Sequence, residues 1–132
     1  AYGNGAILSC ACDFRFMSAD KGFFCFPEVD VNIPFLPGMY AFVQKAVPEH
    51  LFNQMLLTGN RLTAQELEKH NVIIESGTDR EEMLQKAMEF ASQLQKKRPI
   101  FGELKKRKYK EIIRVIDEED PKFIEPLNLM MR

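Results

Sequence analysis

The balance between extended and helical stretches limits this chain's fold more than any other feature. Three short runs read as strands: AILSCAC (6–12), FRFM (14–17) and FFCF (23–26), with a turn, SADKG (18–22), between the second and third. The first is a continuous run of small and apolar residues, the pattern of a strand buried on both faces. Beyond residue 38 nearly everything has helical spacing. MYAFVQKAV (39–47), PEHLFNQMLL (48–57) and TAQELEKH (63–70) read as helices, with VII (72–74) as a short strand after them. Thr63 and Glu66 have the spacing of a capping box, as do Asp79 and Glu82. Asn71 falls where a left-handed residue is wanted after the third helix. Met83, Ala87, Phe90, Ala91 and Leu94 mark a helix that Pro99 ends, and Phe101, Leu104, Tyr109, Ile112, Ile113 and Ile116 mark a last long one. A few short strands cannot cover so many apolar helix faces. The expected architecture is α/β, with part of the sheet supplied by a partner chain or a preceding segment. The opening AYGNG, with no Met and no basic region, reads as the middle of a longer protein.

The bulk numbers exclude more than they assign. The 132 residues are enough for one modest core, and a net charge of −1 gives no general pull toward nucleic acid or anionic membrane. No apolar run approaches the roughly 18 residues of a membrane span. Cys10, Cys12 and Cys25 are odd in number. On a strand Cys10 and Cys12 would share one face, which is poor disulfide geometry, so they read as reduced core thiols of an intracellular protein. Neither a CxxC pair nor a His cluster suggests zinc, and His50 and His70 read as structural or surface residues.

One short segment demands chemistry. In GFFCFPEVDVNIPF (22–35), Glu28 follows Pro27 directly among Phe, Cys and Val, and Pro34, Pro37 and Gly38 read the segment beyond as a loop. An ionised carboxylate in such company is expensive unless it is paired or used. The bland alternative is a strand-end carboxylate, solvated or paired with Lys21 or Arg15; strand alternation places Asp30 on the same face. Asp13 reads as a turn cap or a partner of Arg15. The basic runs 96–98 and 105–110 read as solvated helix faces, with attraction to a phosphorylated ligand as the functional alternative. A nucleic-acid patch would want more aromatic interleaving than Tyr109 offers, and the acidic run 116–120 opposes it.

The ordered set Cys12-Asp13, Arg15, Pro27-Glu28 and Pro37-Gly38, followed by Leu56-Leu57-Thr58-Gly59 and Thr63-Ala64-Gln65-Glu66, resembles the enoyl-CoA hydratase/isomerase (crotonase) superfamily from about residue 3 to residue 100. Asn71 stands where that family usually has Gly. The resemblance implies a crotonase-like fold, a ββα spiral core with a C-terminal helical region. This chain would be its C-terminal portion, with residues 1–78 in the core and 79–132 in the helical region. The N-terminal half of the family would supply the rest of the core and one oxyanion-hole N–H. It also implies an acyl-CoA thioester as substrate, no cofactor besides the coenzyme A of that substrate, and a homo-oligomer, trimer or hexamer. Fatty-acid β-oxidation in mitochondria or peroxisomes would be its setting, although the C-terminus is not of the SKL type.

Within that resemblance Glu28 takes the place of the acid–base carboxylate, and the turn GNGA (3–6) that of one oxyanion arm, through the backbone of Asn4 and Gly5. Counting back from Cys12-Asp13 puts Ile7 where a hydratase carries its other glutamate, and isoleucine cannot activate water. One carboxylate suits a Δ3,Δ2-enoyl-CoA isomerase. Phe24, Phe26, Ile33, Phe35 and Leu36 are the expected acyl-pocket residues. The rival reading is a degenerate crotonase-fold subunit with a structural or binding role, motivated by Asn4 in the Gly-rich turn and by Asn71.

Overall fold

A computed structural model describes residues 1–127 and 129. The elements run α1 (Asn4–Ala11), β1 (Phe16–Ser18), α2 (Glu28–Val31), α3 (Pro37–Ala46), α4 (Glu49–Thr58), α5 (Ala64–Lys69), β2 (Glu75–Gly77), α6 (Arg80–Ser92), α7 (Arg98–Lys108), α8 (Lys110–Glu118) and α9 (Pro121–Ile124). The sheet among the described residues is one parallel pair, β1 on β2, with Phe16 opposite Glu75 and Ser18 opposite Gly77. Two isolated bridges extend the contacts, Tyr2 with Cys25 and Phe24 with Leu62. The α/β class therefore holds, with helices α2 to α5 filling the crossover between the parallel strands.

The largest departure from the sequence reading is AILSCAC. It is not a strand but most of helix α1. A short apolar run carries no periodicity that separates a buried helix from a buried strand, and the deciding turn lies just before it, at Gly3. Within the helix Ala6, Ile7 and Cys10 face the core, while Cys12 lies past its end and is exposed. All three cysteines are free thiols, and burial pushes Cys10 up to about 11. Helix α1 has no basic residue in its own last turn. Lys45 of α3 serves instead, donating to the Ala11 and Cys12 carbonyls at 2.7 and 2.9 Å.

Smaller differences have similar causes. Residues 23–26 form only single bridges, β2 begins after VII rather than within it, and the segment after Pro27 is one helical turn rather than loop. Helix α6 ends at Ser92, before the proline, and Pro99 sits in the first turn of α7, where its missing N–H costs nothing. The long last helix breaks at Tyr109 into α7 and α8.

Several expectations are met. Asp79 caps α6 through the Glu82 N–H at 2.9 Å, and Asn71 takes the left-handed conformation with φ 57°. The Thr63 box is closed in both directions, with Glu66 N–H donating to Thr63 Oγ1 at 3.3 Å and Thr63 N–H donating to Glu66 Oε2 at 2.7 Å. Replacing Thr63 by Ala is expected to cost about 1 kcal/mol in a denaturant midpoint comparison, with the slope of the transition unchanged.

The core is aromatic at its centre. Phe26 is fully buried, and its ring meets Phe24, Phe35 and Phe52 edge-on at centroid distances of 5.5, 5.6 and 6.0 Å. Met55, Leu67, Val43 and Val72 complete it. Residue 26 is thus an anchor from which the chain turns outward into Pro27 and Glu28.

Candidate active site

Pro27 occupies the N-cap of α2, so Glu28 is the first helical residue, and the turn aims its side chain back toward the protein. Its neighbour Asp30, two residues on, is exposed, because residues two apart on a helix do not share a face. The strand alternation that would have paired them does not apply. Glu28 is only 9% exposed, and neither Lys21 nor Arg15 pairs with it. Arg15 is occupied by the carbonyls of Val72 and Cys12, at 2.8 and 2.6 Å. Asp13 is likewise not a partner of Arg15; Lys45 and Lys105 take it at 3.6 and 2.5 Å.

The Glu28 carboxylate lies against the N-terminus of α1. Its Oε1 is 3.2 Å from the place a Cβ on Gly3 would occupy, a contact tight enough that the carboxylate would have to shift by a few tenths of an ångström for any larger residue. Gly3 also takes φ 50°, in the region that favours glycine. Two backbone hydrogen bonds hold this approach, from Gly3 N–H to Cys25 O at 3.1 Å and from Cys25 N–H to Ala1 O at 3.2 Å. The chain immediately before α1 is thereby fixed beside the chain immediately before Glu28.

The two backbone groups named from the turn differ in state. The Gly5 N–H donates to Tyr2 O at 3.0 Å and is spent on the turn. The Asn4 N–H, at the first position of α1, has no acceptor among the described residues. Glu28 Oε2 is the one buried side-chain polar atom among them that lacks a hydrogen-bond partner. Burial without a countercharge raises the Glu28 carboxyl above its ordinary range. A raised carboxyl can act as a base, and an N–H without an acceptor can donate to a developing oxyanion; Asn4 and Gly5 do not line the cavity into which Glu28 opens.

Glu28 opens into a cavity of about 270 Å³. Of the expected acyl-pocket residues, Ile33 and Phe35 line it. Phe24, Phe26 and Leu36 do not: Phe24 and Phe26 are committed to the core, and Leu36 stands at the start of α3. The lining is completed by Val29, Asn32, Pro34, Tyr40, Leu56 and Leu57. Leu57 is 70% exposed on the outer side of α4, and an apolar residue off a helix's core face was the available signal for it. Glu28 is the one ionisable carboxylate of this lining. Ile7 is 5% exposed within the core cluster. No group of three His, Cys, Asp or Glu side chains among the described residues is placed to hold a metal, and no helix is long and apolar enough to cross a membrane.

Known proteins bear on this geometry. The chain is 33% identical over 100 residues to a carnitinyl-CoA dehydratase of Salmonella arizonae, covering 76% of this chain and 38% of that protein. It therefore spans little more than a third of the length of the curated relatives it matches. In fold it is similar to an enoyl-CoA hydratase/isomerase family protein from Pseudomonas syringae, with a TM-score of 0.84 at 16% identity, over 93% of this chain and 54% of that one. A putative short chain enoyl-CoA hydratase from Novosphingobium aromaticivorans is 28% identical with a TM-score of 0.62, over 70% of this chain and 36% of that one. Residues 1–119 match the sequence pattern of enoyl-CoA hydratase/isomerase as a whole. With the crotonase fold and the ordered motifs around Glu28, this chain belongs to the enoyl-CoA hydratase/isomerase family.

Proposed function

We propose that this chain carries the acid–base site of a Δ3,Δ2-enoyl-CoA isomerase. The observation that carries the reading is the lone carboxylate: Glu28 is the single carboxylate lining the cavity, and its Oε2 is buried and unpartnered. In the reaction the ionised Glu28 takes a proton from C2 of a 3-enoyl thioester. The C–H electron pair delocalises through the thioester carbonyl and the C3–C4 double bond as a dienolate. The same carboxyl returns the proton to C4, leaving the double bond between C2 and C3. No atom is gained or lost, so one carboxylate suffices. The Asn4 N–H is one donor to the dienolate oxygen, and on the family resemblance a second comes from outside these 132 residues.

The names of the relatives favour a second reading, addition or removal of water at the thioester. That chemistry wants a second acid to hold the water, and the position counted for it is the buried Ile7. Incubating the full-length protein with 3-hexenoyl-CoA and with 2-hexenoyl-CoA separates the two. Interconversion of the two enoyl thioesters without a 3-hydroxy product is expected. Formation of the hydroxy thioester from 2-hexenoyl-CoA would replace isomerisation by hydration, and no turnover of either would leave a degenerate subunit.

A further inference from the structure

Among the described residues two charged side chains are buried, Glu28 and Asp120, each 9% exposed. The proposed reaction uses the first and leaves the second unexplained. Asp120 lies between α8 and α9, 82 residues after Gly38, and its Oδ1 accepts the Gly38 N–H at 2.8 Å. Gly38 is in the first turn of α3, so the carboxylate meets both a free N–H and the positive end of a ten-residue helix. The contact is close: a Cβ on Gly38 would come within 2.5 Å of Asp120 Oδ2 and 2.7 Å of Ile116 Cγ1.

The start of α3 is also where the cavity wall is made. Pro34 and Phe35 line the cavity and run through Leu36 straight into Pro37, and Tyr40 lines it one turn into the helix. The Phe35 and Tyr40 rings pack at 5.1 Å between centroids. Prolines at 34 and 37 leave little backbone freedom to absorb a shift, so a displacement of the α3 start moves Phe35 with it.

We propose that Asp120 is a positioning residue that sets the acyl wall of the cavity from the far end of the chain, and thereby selects among acyl chain lengths. This rests on the acyl-CoA isomerase reading. In the full-length protein, Asp120→Ala is expected to lose about tenfold more kcat/KM on 3-decenoyl-CoA, which must reach the wall, than on 3-butenoyl-CoA. Asp120→Asn keeps an acceptor oxygen for Gly38 and is expected to restore most of the selectivity. Gly38→Ala, which crowds the same contact from its other side, is expected to reproduce the loss. Amide hydrogen exchange at residues 38–40 is expected to quicken in Asp120→Ala. An equal loss on both thioesters, or unchanged exchange there, overturns the proposal, since a merely structural carboxylate lowers the active fraction for every substrate alike. A wild type that turns over neither thioester instead overturns the isomerase reading, and the exchange measurement then decides the contact alone.

Discussion

Glu28→Gln is expected to lose about 10³-fold in kcat on a 3-enoyl thioester while melting at a higher temperature than the wild type at pH 7. The two effects have one cause. Burial without a partner raises the Glu28 carboxyl, so at neutral pH the folded protein carries a charge it would hold more cheaply in water. A carboxyl raised on folding leaves stability intact below its unfolded value, near 4 for glutamate, and lowers it as pH rises through the folded value. The uncharged amide removes that cost. The gap in melting temperature between the two proteins is therefore expected to be present at pH 7 and to close below about pH 4. Activity of the wild type is expected to rise with pH on its acid limb, since the base must be ionised, with a midpoint above the ordinary glutamate range. Melting curves across pH, read beside single-substrate kinetics, test all of this in one pair of proteins. If Glu28→Gln were less stable than the wild type at pH 7, Glu28 would be a satisfied structural carboxylate and not a stored base.

How far these features were legible in the sequence depends on what each signal was made of. Glu28 stood out because a carboxylate after Pro27, among aromatic residues, conflicts with its local surroundings, and such conflicts are where function concentrates. The Thr63 and Asp79 caps were readable because a cap is a local exchange of hydrogen bonds over three residues. The helix 4–11 was not, because its pattern is only smallness and apolarity, and its start is fixed by the bonds that pin Gly3 to Cys25 across the fold. The acyl wall was half readable. Ile33 and Phe35 follow Glu28 closely, but Tyr40, Leu56 and Leu57 arrive from other helices, and Phe26 was drawn inward by Phe35 and Phe52. Asp120 could not be read at all. Its partner is a backbone N–H 82 residues away, and a backbone group leaves no residue type to recognise.

Asn4 tests the oxyanion assignment at a single atom. Asn4→Pro is expected to lower kcat on 3-hexenoyl-CoA by about 10²- to 10³-fold, whereas Asn4→Ala is expected to stay near the wild type. Proline deletes the N–H and alanine keeps it, so the pair isolates the backbone donor from the side chain. The fold is expected to survive the proline for two reasons. Asn4 is the first residue of α1, the helical position that best accepts proline. Gly3 before it, at φ 50° and ψ −124°, sits in the mirror image of the extended region that residues preceding proline adopt, and a glycine occupies either hand. The Asn4 N–H has no acceptor among the described residues, so no hydrogen bond among them is lost with it. On the proposed mechanism what is lost is a donor to the thioester oxygen, an effect that appears only as the dienolate forms. It is therefore expected in kcat, with melting temperature near that of the wild type. A folded Asn4→Pro protein with full activity would take the N–H out of the mechanism, and equal damage from Asn4→Ala would move the role to the side chain.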